Sequence, residues 1–77
     1  MRNIQYKIIK ETALSEGLGE YHTFGLQAEE FVDNIPSKVH TLSDVSTEEA
    51  VVAEMARLFN DEQLEIVHLI DVVQDML

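Results

Sequence analysis

His68 and Asp71 stand three residues apart near the C-terminus, a spacing that projects both side chains from one side of a helix. With His22 or His40 as a third donor they would offer the nitrogen and oxygen ligands that zinc accepts. The same spacing serves a histidine at the edge of an apolar stripe, bonded to a loop carbonyl or to Asp71 itself. No HExxH arrangement accompanies the pair, so the sequence is read as holding no metal and no other cofactor.

Three carboxylate pairs, Glu29-Glu30, Glu48-Glu49 and Asp61-Glu62, could in principle exchange protons with a substrate. Each falls at a turn or in a first helical turn, where acids are favoured for local reasons. Ser15, Ser37, Ser43 and Ser46 lack the context of an activated nucleophile. Gly17-Leu18-Gly19 lacks the length and the strand-to-helix setting of a phosphate loop. The reading is therefore no catalytic residue and no enzyme, because a chain this small has little volume for a concave pocket.

The elements that would position these groups follow from periodicity. Ile4, Tyr6 and Ile8 alternate with Asn3, Gln5 and Lys7, which predicts a strand over 3–12. Ser15-Glu16-Gly17-Leu18-Gly19 turns the chain, its glycines free to take positive φ. Alternation resumes over 20–29, with His22, Phe24, Leu26 and Ala28 on one face and Tyr21, Thr23 and Gln27 on the other. Asp33-Asn34-Ile35-Pro36-Ser37 is read as the next turn and 38–43 as a short third strand carrying Val39 and Leu42.

Ser46-Thr47-Glu48-Glu49 fits a capping box that opens a helix. Val51, Val52, Met55, Leu58 and Phe59 then recur on one face of it. Asn60-Asp61 supplies its stop and the start of a second helix running to Leu77. There Ile66, Leu69, Ile70, Val72, Val73, Met76 and Leu77 cover roughly half the circumference, a broad stripe for so small a protein. The predicted fold is α+β: a three-stranded antiparallel β-meander followed by two C-terminal helices packed on one face, β-β-β-α-α, as one domain over 1–77.

Several stretches of the chain resemble a family of small clostridial proteins of unknown function. They are Tyr21-His22-Thr23-Phe24-Gly25-Leu26, Leu42-Ser43-Asp44-Val45-Ser46, Phe59-Asn60 with Leu64, and the closing His68-Leu69-Ile70-Asp71-Val72-Val73-Gln74-Asp75-Met76-Leu77. The resemblance covers about residues 20–77. The chain departs from it conservatively, with Phe24 for a tyrosine and Leu26 for an isoleucine. It implies a fold and a cytoplasmic setting but no mechanism.

Fifteen acidic residues against five basic ones leave a formal net charge of −10, which repels phosphates and anionic membranes. Direct nucleic-acid binding and membrane association are excluded on that basis, and the apolar runs are too short to span a bilayer. There is no cysteine for a disulfide or a thiolate site. The chain has no signal-peptide core, which with the resemblance gives a cytoplasmic expectation.

What remains is a small acidic protein-interaction or regulatory domain whose protein partner the sequence does not name. Phe31 and Val32 beside the proline-bearing turn, and Leu64 and Val67 among polar residues of the last helix, form the candidate partner surface. A homodimer through a free strand edge is one form of this reading, opposed mildly by Lys7 and Lys10. The alternative is a nucleic-acid-mimicking inhibitor of a basic DNA-binding protein. Its phosphate analogues would be Glu48, Glu49, Asp61, Glu62, Glu65, Asp71 and Asp75.

Overall fold

A computed structural model describes residues 1–17 and 19–77. Strands β1 (Arg2–Ser15), β2 (Gly19–Val32) and β3 (Ile35–Ser46) form an antiparallel sheet in the order β1-β2-β3. Helix α1 (Glu49–Glu62), a 3-10 turn (Ile66–His68) and helix α2 (Leu69–Met76) follow, as the predicted α+β order requires. Leu18, part of the glycine turn considered as a phosphate loop, lies outside the described residues.

Alternation places the expected faces correctly, while every strand is longer than its pattern suggested. Ile4, Tyr6, Phe24, Leu26 and Ala28 enter one core with Val52, Met55, Ala56 and Phe59 of α1 and Leu69 and Val73 of α2. The second connection is shorter than the stretch read as a turn. Asp33 and Asn34 alone make it, both at positive φ (52° and 67°), the geometry that matches the twist of flanking strands. Pro36 consequently lies inside β3, on an edge strand where its missing N–H is tolerated.

Both helix boundaries also move. Ser46 ends β3, and its hydroxyl accepts the N–H of Glu48 at 3.1 Å instead of forming the capping box with Glu49. The N-terminal cap position is Glu48, which makes no side-chain cap bond. At the other end α1 runs through Asn60-Asp61 and stops at Gln63, whose φ of 52° is left-handed. The Gln63 and Leu64 N–H groups donate to the carbonyls of Asn60 and Phe59, satisfying the last turn. The second helix begins only at Leu69, because Leu64, Glu65 and the 3-10 turn are needed to bring the chain back over the sheet.

Gln63 occupies a backbone region that glycine would enter at lower cost. Its side chain explains the choice. The Ile4 N–H donates to Gln63 Oε1 at 2.9 Å, and Gln63 Nε2 donates to the Ile4 carbonyl at 2.8 Å. Asn60 repeats the pattern two strand residues on, with Tyr6 N–H to Oδ1 at 2.6 Å and Nδ2 to the Tyr6 carbonyl at 2.9 Å. Two amide side chains thus stand where a fourth strand would pair with the outer edge of β1. Three helical residues rise about 4.5 Å and two strand residues about 6.7 Å, and the extra methylene of glutamine helps span the difference.

Tyr6 completes this junction. Its ring meets Phe59 edge-on at 5.4 Å, and its hydroxyl donates to the Leu64 carbonyl at 2.7 Å. Burial, followed by the negative charge of Glu65, pushes the phenol up from 10.0 to about 12. Arg2 binds Glu65 and lies 3.3 Å from Glu30, tying the same end of β1 to the segment after α1.

A domain of this length has only about 4–12 kcal/mol of net stability, so single buried bonds matter. Asn60→Ala leaves the Tyr6 N–H and carbonyl without partners, and we expect a loss of about 2 kcal/mol, read as a lower urea midpoint with unchanged slope. Gln63→Ala, at a more exposed site, should cost less. Because the Tyr6 phenol titrates higher folded than unfolded, its stabilising contribution is complete below pH 10 and lost as the pH rises towards 12. Tyr6→Phe should therefore show a shallower alkaline fall in stability than the parent protein.

Candidate functional site

On the sheet face away from the helices, four side chains close around a break in β2–β3 pairing. Phe24 pairs with Ser46 and Leu26 with Leu42, so Gly25 faces the three residues Ser43, Asp44 and Val45. Asp44 takes φ 51° in this bulge. Its N–H donates to Glu11 Oε1 at 3.0 Å, reaching across from β1. Its carboxylate accepts the Thr23 hydroxyl at 2.6 Å and the Tyr21 hydroxyl at 3.1 Å. Thr23, itself buried, also lies 3.1 Å from the Ser46 carbonyl.

The bond to Asp44, then burial, then the Asp44 charge raise the Tyr21 phenol above its usual range. Gly25 is needed for space: a Cβ there would sit 2.5 Å from the Leu42 carbonyl oxygen and 2.8 Å from Glu11 Oε1. These polar groups bond chiefly to one another, and the arrangement is a latch that holds the bulge shut.

Of the sequence-derived partner residues, Leu64 packs half-buried against the core, and its carbonyl holds Tyr6. Phe31 lines an open depression of about 610 Å³ with Met1, Arg2, Asn3, Asp33, Asn34 and Gln63. Val32 is partly exposed beside it, and Val67 stands 80% exposed on the 3-10 turn. His68 is exposed at the start of α2, while His22 and His40 lie on the sheet. Among the described residues, no group of three or more His, Cys, Asp or Glu side chains is placed to hold a metal ion.

A second groove lies where α2 crosses the end of β3. Leu42, Ser43, Asp44 and Val45 form one wall and Ile70, Val73, Gln74 and Leu77 the other, around about 160 Å³. Ile70 is 47% exposed and Leu77 68%, although periodicity assigned both to a buried stripe. In an eight-residue helix only Leu69 and Val73 reach full burial. The signal for this surplus was the width of the stripe itself.

The chain belongs to the Family of unknown function (DUF6514), whose model matches residues 2–77. The matched range includes all three strands and both helices. Neither a curated protein nor a solved structure matches the chain significantly. No helix among the described residues is long and apolar enough to cross a membrane.

Gly25→Ala drives a methyl group into a backbone carbonyl and the Glu11 carboxylate. We expect a loss of about 2–3 kcal/mol by chemical denaturation. Amide exchange should open first at Asp44, whose N–H loses its Glu11 acceptor.

Proposed function

We propose that this is a small cytoplasmic protein-interaction domain that acts by presenting a surface and carries no catalytic activity. The observation that supports this most is the set of apolar side chains left in solvent where α2 crosses the end of β3. Ile70, Met76 and Leu77 are exposed on or just after α2, whereas Val39, paired with Glu29, is exposed on the opposite sheet face. Two features favour side-chain burial over strand addition as the mode of contact. The edge of β1 is occupied at Ile4 and Tyr6, and regular pairing in β3 is interrupted near Ser37 and again at Asp44. A homodimer remains a second form of the proposal, joined through these apolar side chains.

One observation favours the nucleic-acid-mimic alternative. From Glu48 to Leu77, eight acids against the single base Arg57 leave a formal charge of −7, so most of the protein's −10 resides in the helical segment. Against it, Asp61 bonds Arg57 at 3.0 Å and Glu65 is bound by Arg2, which interrupts the row of free carboxylates. We therefore rank the interaction domain first.

Ile70→Glu and Leu77→Glu alter exposed positions and should leave the thermal midpoint close to that of the parent. In side-by-side affinity capture from the native host, proteins retained by the parent and by Gln27→Ala on the opposite sheet face should be lost with Ile70→Glu. Identical captured sets for all three baits would overturn the reading. Competition for a basic DNA-binding protein that survives Ile70→Glu would support the mimic instead.

A further inference from the structure

We propose that the groove between β3 and α2 receives a basic amphipathic helix from a partner protein. This deepens the interaction-domain reading and rests on it. The groove floor is apolar, formed by Leu42, Val45, Ile70, Val73 and Leu77. It lies beside Ser43 and Asp44, where the bulge removes the regular ladder that an added strand would need. A helix makes no demand on that ladder, because it presents side chains at i, i+3 and i+4 to a groove.

Charge selects the partner. None of the groove-lining residues is basic; the Asp44 carboxylate is taken up by Thr23 and Tyr21 on the other sheet face, and α2 itself carries Asp71 and Asp75 with no Lys or Arg. The helical segment bearing one wall has a formal charge of −7, and its only base, Arg57, is bonded to Glu54 and Asp61. A second copy docking here would bring two such segments together with like-charge repulsion. A helix with Lys or Arg flanking its apolar stripe meets the same surface with complementary charge and loses affinity as salt rises.

The test uses the full chain, isotope-labelled, and two synthetic 14-residue helical peptides. Both carry Leu at i, i+4, i+7 and i+11, with Lys at the remaining positions of one and Glu in the other. The lysine peptide should bind, with amide shifts concentrated in 42–45 and 69–77, and weaken as salt is raised. Ile70→Glu adds negative charge but removes an apolar anchor. We expect it to weaken the lysine peptide by about tenfold at an unchanged thermal midpoint. Unchanged or tighter binding to that variant would mean bulk charge attraction, and the proposal would fall.

Equal binding of the glutamate peptide in the groove would overturn the basic partner while leaving the interaction-domain reading standing. Shifts confined to other surfaces would overturn the groove. Sedimentation showing that the groove is already filled by a second copy would overturn it in favour of the dimer.

Discussion

The outer edge of β1 governs how this protein is assembled. An edge strand carries backbone donors and acceptors that must find partners, and here those of Ile4 and Tyr6 find the side-chain amides of Gln63 and Asn60. Because each amide both accepts and donates, the two contacts set the position of α1 along the strand to within a residue. Phe59 then lies over Tyr6, the Tyr6 hydroxyl reaches the Leu64 carbonyl, and the core closes beneath. The left-handed backbone at Gln63 belongs to the same arrangement, since it turns the chain away just where the amide must stay.

The other side of the sheet is finished differently. At β3 the Asp44 bulge bends the ladder, and Glu11, Tyr21 and Thr23 hold it. Beyond Ser46 the ribbon of residues 11–15 and 19–23 continues without the third strand, which contributes to a molecule 48 Å long and 18 Å thick. The short α2 crosses near this bulge and buries only part of its apolar arc. One side of the domain is thus closed by hydrogen bonds, and the other leaves aliphatic side chains facing water. That asymmetry directs the functional reading to β3 and α2.

Charge reinforces the division. The strands and their connections hold four of the five bases, whereas the helical segment holds eight of the fifteen acids with Arg57 alone to offset them. Apolar anchors ringed by one sign of charge discriminate among partners by repulsion as well as attraction.

Periodicity alone was sufficient for the α+β order, the inward faces of the first two strands and the buried face of α1. Each depends on which side chains escape water, and that is written in local spacing. Composition and net charge supplied functional expectations only. Strand length, the Asp33-Asn34 turn and the true start of α2 were decided by pairing between distant residues. Asn60 and Gln63 read locally as a helix stop and a surface amide, and only the fold brings them to a strand more than fifty residues away. Ile70 and Leu77 have the same hydrophobicity as Leu69 and Val73. Their exposure was decided by how much of a short helix the end of a three-stranded sheet has room to cover.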